Sequence, residues 1–431
     1  MKQLYRYLIL LAGAYLLLIL DLEVNRKKYQ PIRDRNYIQI NRFLGTWFNY
    51  DSFEFIAVST RSAELLEKAH RQSRPGYALC GTLLGYSVYW ITTPLHSLMD
   101  RELDQVLATR FPSMPPEKRR LWFCHYIGFI LLNIAIMMVS LWLFEKILLL
   151  ATGPWKHSPW LLNSLLLLLC CNQLTKFFLW VPHTQLFNIL TPLLCIYIAF
   201  RFPSMLRKFP RSLLFSFCMG LMLLFYGNFL LVLPPMIVTC FLNDRQNAPS
   251  APTWRTARLL GIIACFFLPL LGWMAFLQHR GISFESSELR NFRQFVWILD
   301  ALAISPATLG LAFRENSLAF FQTLGSLLFP AGLLLYILLF IKASPAERFW
   351  IQYRIPLLVF IEVLVFFWLL GYNADRLSFT ISVPLYCMVA LLLNNRTVSR
   401  THTILITGLI LGWILVNLLT HPTHFTSKYF S

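Results

Sequence analysis

The chain has 431 residues, 57% of them hydrophobic and 13% charged, whereas a soluble domain is nearer half apolar and a quarter charged. That composition excludes a soluble enzyme, a secreted disulfide scaffold and a nucleic-acid factor, despite a formal charge of +18. In a membrane protein such an excess of cations collects in cytoplasmic loops that face anionic lipid. The expectation is an all-α, polytopic transmembrane helical bundle in which residues 1–431 form a single domain, because no polar tract is long enough for a second one.

In chain order, the first apolar run is Leu4–Leu20. It follows Lys2 and Arg6 and ends in Asp21-Leu22-Glu23 with no small-residue cleavage site, so it reads as a retained span with a cytoplasmic N-terminus. A helix needs roughly 20 apolar residues to cross a bilayer. By that measure Tyr77–Leu95, Leu121–Ala151, Leu259–Leu277, Leu318–Ile341, Ile355–Leu370, Leu377–Leu393 and Ile404–Leu419 are further spans. The stretch from Trp160 to Leu242 reads in two ways. Either Trp160–Phe178 crosses and Ser212–Leu242 is one tilted helix, or Trp160–Phe178 stays on one side and Ser212–Leu242 crosses twice, turning at Tyr226-Gly227-Asn228. The second is preferred because it leaves Arg201, Arg207, Lys208 and Arg211 in the cytoplasm. Both ways give about eleven crossings. The threading puts Lys118-Arg119-Arg120, Arg245, Arg255, Arg258, Lys342, Arg348, Arg354, Arg396 and Arg400 inside, and Glu145 and Lys146 near the outer end of a long helix. Two long loops face out, residues 21–76 and 278–317. Arg110-Phe111-Pro112-Ser113-Met114 recurs as Arg201-Phe202-Pro203-Ser204-Met205, a match short enough to be coincidence. All nine cysteines fall in or beside apolar runs and read as packing residues, without a metal-binding spacing.

The first outer loop carries the strongest chemical signal. Asn49-Tyr50-Asp51-Ser52-Phe53-Glu54-Phe55-Ile56 suits a helix capped by Asp51 or Ser52, with Phe53, Ile56 and Ala57 as an apolar stripe. A second helix opens at Ser62 and carries Leu65, Leu66 and Ala69. Both are expected as short amphipathic helices lying along the outer surface. Asp51 and Glu54 stand three residues apart and share one helix face. Arg71 and Arg74 close the same loop at headgroup depth. A carboxylate able to accept a hydroxyl proton, near guanidiniums able to hold a departing phosphate, is what sugar transfer from a lipid phosphate requires. A plain N-cap and a headgroup anchor would explain the same residues without any chemistry.

One span followed by a large outer loop with Tyr50-Asp51-Ser52-Phe53-Glu54, then Arg74-Pro75-Gly76-Tyr77 leading into the second span, then Asp375-Arg376 in an outer turn before Pro384-Leu385-Tyr386, resembles the GT-C membrane glycosyltransferases. The likeness covers most of the chain, by layout more than by sharp motif. It implies an inverting transfer from a polyprenyl-phosphate-linked sugar to a glycan, lipid or pilin-like acceptor, at the outer face of a bacterial inner membrane. On this resemblance Asp51 is the general base with Glu54 in reserve, and Arg71, Arg74 and Arg376 hold the carrier phosphate. The loop has no Asp-x-Asp pair and the chain no C-terminal soluble domain, which argues against a metal-dependent version and against a large protein acceptor. No cofactor is expected.

The second outer loop supplies the rival reading. His279, Arg280, Arg290 and Arg293 could handle lipid-linked glycans as in O-antigen polymerases and ligases, or the loop is simply solvated. His183, in Trp180-Val181-Pro182-His183-Thr184-Gln185, reads as a substrate ligand or a turn histidine, and Asn188, Asn228 and Asn373 lie near the same face. A carrier of such lipids is the third reading, disfavoured because the clear spans hold almost no ionisable residue. His96, Asp100, Glu102 and Asp104 fall on the cytoplasmic side, which has no phosphate-binding loop, so the donor should be a lipid.

Overall fold

The computed structural model describes residues 2–24, 27, 37–40, 45–67, 69–172, 175–205, 209–247, 252–282, 284, 293–340, 349–371, 377, 379–395 and 398–420. Helix α1 is Lys2–Val24. It turns Tyr7, Leu11, Ala14, Leu18 and Leu22 into the bundle at three- and four-residue spacing, while Leu8, Ile9, Leu16 and Leu20 stay exposed. A helix that is apolar on its outward face as well as its inward one is solvated by lipid. Among the described residues five helical stretches are long and apolar enough to cross a bilayer: Gln3–Val24, Pro116–Thr152, Thr184–Arg201, Thr256–His279 and Tyr353–Leu370. The molecule is therefore an all-α membrane bundle.

After α1 come a small antiparallel hairpin, β1 (Tyr37–Gln39) with β2 (Gly45–Trp47), then α2 (Tyr50–Thr60) and two single-turn helices, α3 (Glu64–Glu67) and α4 (Ala69–Gln72). Next are α5 (Pro75–Thr92), α6 (His96–Arg110) and α7 (Pro116–Thr152). At 1.5 Å per residue α7 is about 55 Å long, nearly twice a bilayer's hydrocarbon thickness. Helix α5 runs antiparallel against its first half only. Gly81 meets Phe129, and Gly85 meets His125 and Gly128, so closely that any Cβ at these glycines would overlap its neighbour. Small residues let the two backbones approach.

The second half of α7 is the axis of the remaining bundle. It packs against α10 (Phe187–Met205), with Trp142 tilted on Tyr197 at 6.0 Å, and against α17 (Ser382–Asn395), whose Asn394 amide donates to Thr152 at 2.8 Å. Helix α8 (Pro159–Cys170) and the single turn α9 (Thr175–Phe178) run beside α1. Helix α11 (Phe209–Leu223) lies parallel to α13 (Pro252–His279), the Ser216 hydroxyl donating to the Ile262 carbonyl at 2.6 Å, and α12 (Leu233–Asn247) joins them. Helices α14 (Val296–Ile304), α15 (Pro306–Phe340), α16 (Phe349–Leu370) and α18 (Arg400–Thr420) complete the order.

Contacts between segments bear on the threading in four places. Arg110 stacks on Phe48 at 6.0 Å and Phe111 on Phe53 at 6.2 Å. The loop before α7, expected in the cytoplasm, therefore sits at the same end as the first loop, because ring contacts cannot span a bilayer core of about 30 Å. Gln3 donates to Glu145 at 2.7 Å and Arg6 pairs with the same carboxylate, so Glu145 lies at the N-terminal end of α1 and not at the opposite face. Tyr77–Leu95 forms most of α5 and the turn after it, and α5 pairs with the first half of α7. Trp160–Phe178, preferred as a stretch that stays on one side, packs on α1 through α8 and α9, and the Lys176 ammonium meets Asp21 at 3.1 Å. Ser212–Leu242 folds as two helices with the turn at Tyr226-Gly227-Asn228, as preferred. The five-residue repeat takes two conformations, a turn after α6 and the helical end of α10, so it marks no shared unit.

Candidate active site at the first-loop end

The cap of α2 is Asn49 rather than Asp51 or Ser52. Its side chain accepts from the Ser52 N–H at 2.8 Å, and the Ser52 hydroxyl accepts from the Asn49 N–H at 3.1 Å. This capping box satisfies the helix end without Asp51, whose carboxylate is released for other partners while still sitting in the favourable first turn. The helix does not lie on the surface as expected. Phe55 and Ile56 are fully buried, Phe55 packing on Tyr77 at 4.8 Å and on Phe129 at 5.9 Å, so α2 is driven into the groove between α5 and α7.

That docking aims Asp51 and Glu54 at one guanidinium. Arg71 Nη2 lies 2.5 Å from Asp51 Oδ1, Arg71 Nε donates to Glu54 Oε2 at 2.8 Å, and the guanidinium rests on the Phe55 ring at 4.2 Å. The other Asp51 oxygen, Oδ2, is 2.8 Å from His183 Nε2. An ionised carboxylate only accepts, so Nε2 carries the proton. His183 is held in place by its neighbours: its ring packs on Phe178 at 4.9 Å, and the buried Asn133 amide donates to the carbonyls of Phe178 and Val181 at 3.0 and 2.8 Å. Tyr77 donates to the Asn133 oxygen at 3.0 Å, and Tyr126 to the Trp180 carbonyl at 2.6 Å.

Exposure separates the roles. Asp51 keeps 33% of its side chain open and Glu54 12%, while Arg71 keeps 4% and His183 1%. The sealed cation and imidazole hold a half-buried carboxylate from behind. Burial pushes the Asp51 carboxyl up, but the hydrogen bond and charge of His183, with Arg71, outweigh it and hold the group well below the usual carboxylate range. Glu54 in turn raises the Tyr50 phenol above its ordinary value through a hydrogen bond and its charge. Arg74 stands one turn away, donating to Thr184 Oγ1 at 2.9 Å with its guanidinium 5.1 Å over the Tyr226 ring. Beyond it an amide chain continues, Asn228 donating to Asn188 at 2.7 Å and Asn188 to Gln185 at 2.6 Å.

Five of the expected residues, Asp51, Glu54, Arg71, Arg74 and His183, thus meet in one cluster. His279 and Arg280 do not join it. They are exposed at the end of α13, Arg280 over Phe276 at 5.7 Å, although Trp273 of the same helix donates to the Gln72 carbonyl at 2.8 Å. Arg293 pairs with Asp300 in the open. Arg376, Asn373 and Arg290 lie outside the described residues. Sequence reasoning missed Asn133, Thr184 and Tyr226. Asn133 had a signal, since it is an amide within the apolar run Phe129–Val139. Comparison with known protein families, with curated proteins and with solved structures finds no match to this chain.

Proposed function

We propose that the chain is an inverting membrane glycosyltransferase that moves a sugar from a polyprenyl-phosphate-linked donor to a hydroxyl of a cell-envelope glycan, lipid or pilin-like protein. The observation that carries the reading is the half-buried Asp51 carboxylate, one oxygen held by Arg71 and the other by His183. The acceptor oxygen attacks the anomeric carbon from the face opposite the phosphate, its proton passes to Asp51, and the bond to phosphate breaks with its electron pair going to the lipid. Asp51 is a weak base because its two partners keep it ionised. That suits a transition state of oxocarbenium character, in which the hydroxyl becomes acidic only as the new bond forms. Arg71 is too enclosed to reach a phosphate and acts as the clamp on both acids. Arg74, partly exposed on Tyr226, is the better phosphate ligand, with Arg376 as its candidate companion.

The contacts also support a revised passage through the membrane. About eleven crossings remain, but α8 replaces Tyr77–Leu95 among them. Helices α5 and α6 and the first half of α7 then belong to the outer side with the site. The N-terminus, Lys146, Lys156, Arg201, Arg211 and Arg400 stay cytoplasmic, as the distribution of cations favours. The test is transfer itself. With purified protein in liposomes, labelled polyprenyl-phosphate sugars and an envelope extract as acceptor, the label should leave the lipid and appear on product with inverted anomeric configuration. Retention of configuration, or label that stays on the lipid with every donor, contradicts the proposal.

A further inference from the structure

A second ionisable site lies away from this cluster, inside the bundle. Glu362 sits midway along the apolar stretch Tyr353–Leu370 of α16, beside the buried Val359 and Val363 and with Leu358, Ile361 and Val365 on the outward face. Nine residues from Tyr353 and eight from Leu370 correspond to roughly 12–14 Å of helix on either side, so the carboxyl is near the centre of the hydrocarbon. Its Oε1 is sealed from solvent and has no hydrogen-bond partner among the described residues. The elements packed on α16 bring few titratable groups. Helix α10 carries Cys195, Tyr197 and, at its far end, Arg201; α17 carries Tyr386 and Cys387, and α15 carries Arg314, Glu315 and Tyr336. The turns Gly227–Val232 and Phe379–Ile381 carry none, and α16 itself adds Tyr353 and Arg354 at its far end. Arg314 and Glu315 are close to the Leu370 end, because their neighbour Asn316 donates to the Trp368 carbonyl at 3.1 Å. Among the described residues the Cys195 thiol, which donates to the Leu231 carbonyl at 3.2 Å, lies within electrostatic reach of Glu362.

A carboxylate at mid-membrane without a cation is costly, and intramembrane acids that persist mark ion or proton sites. We propose that Glu362 is a proton-binding site: its carboxyl is neutral in the described state and releases its proton to water only when α16 and the Gly227–Val232 turn part. The same turn carries Asn228, and Tyr226, which lies under Arg74, immediately precedes it. Proton release at Glu362 would therefore loosen one wall of the first-loop site. The inference does not depend on the chemistry proposed for Asp51.

Infrared spectroscopy of the full chain in lipid tests it. The carbonyl-stretch band of an un-ionised carboxyl should be present at neutral pH, absent from Glu362→Gln, lowered in frequency by D2O and lost as pH is raised. Identical spectra for wild type and Glu362→Gln would mean an ionised, cation-paired acid and would overturn the proposal. A band that never responds to D2O or to alkali marks a sealed structural acid and overturns it equally. Peptide mapping of wild type after a hydrophobic carbodiimide, which needs an un-ionised carboxyl, makes the test independent of how the variant folds. Modification at Glu362 that falls with rising pH is expected, and modification indifferent to pH contradicts it.

Discussion

Arg71 is what lets Asp51 and Glu54 occupy one helix face. Two carboxylates one turn apart repel, and a single sealed guanidinium touching both converts that repulsion into a clamp. Removing it leaves two acids facing a buried gap, so Arg71→Ala should destabilise the protein by roughly 3 kcal/mol, the usual cost of breaking an enclosed ion pair from one side. Glu54→Gln should cost clearly less. Thermal unfolding in detergent measures both, and equal midpoints for wild type and Arg71→Ala would remove the clamp. The pH dependence follows from the Asp51 carboxyl, which ionises below its unfolded counterpart. Its contribution is fully present above the usual carboxylate range and is lost as pH falls through the lower folded value. The stability gap between wild type and Asp51→Asn should accordingly be widest near neutrality and close on strong acidification. A gap that widens in acid contradicts the assignment.

At the scale of elements, the groove between α5 and α7 explains how a loop helix becomes part of a site. Gly81 and Gly85 bring α5 against Phe129, His125 and Gly128, and α2 then buries Phe55 and Ile56 over that seam. Gly85→Leu should force α5 away from α7 and expose the Gly76–Tyr77 entry more readily to protease, with the lost contacts lowering the unfolding midpoint by several degrees, as about 1–3 kcal/mol of overpacking implies. An unchanged midpoint and digestion pattern would show that the helices do not meet there. Much of this element was legible beforehand: the helix over Asp51–Ala57, the pairing of its acids and the arginines closing the loop. What sequence could not supply was where the helix docks. Phe53, Ile56 and Ala57 form a stripe that suits a lipid surface as well as a protein groove, and only the glycines of α5, spread through an apolar run, hint at the groove. Asn49 was likewise overshadowed by Asp51 as a cap, since both residue types cap equally well and only the geometry assigns the task.

For the whole molecule, the sequence conveyed a helical membrane bundle because hydropathy registers run length directly, but sidedness rested on counting cations. Lys118-Arg119-Arg120 weighed heavily in that count, yet Arg119 is committed to Asp104 at 2.8 Å and to the Met114 carbonyl, so it reports on a local turn more than on lipid charge. The length of α7 was the neglected clue: 37 residues exceed what one crossing needs. Single-cysteine reporters settle the passage. In a chain freed of its native cysteines, Ser62→Cys and Ser113→Cys should react with an impermeant thiol reagent from the same side of sealed vesicles, and Lys156→Cys from the other. Ser62 and Ser113 reacting from opposite sides would contradict the arrangement.

The proposed chemistry depends on the Asp51 carboxylate. Purified Asp51→Asn protein in liposomes, compared with wild type for sugar transfer and for donor binding under the same conditions, tests it most directly. Transfer should fall by roughly a hundredfold to ten-thousandfold, the range expected for removing a general base, while donor affinity stays within a few-fold. Wild-type turnover by Asp51→Asn would show that Asp51 is not the base.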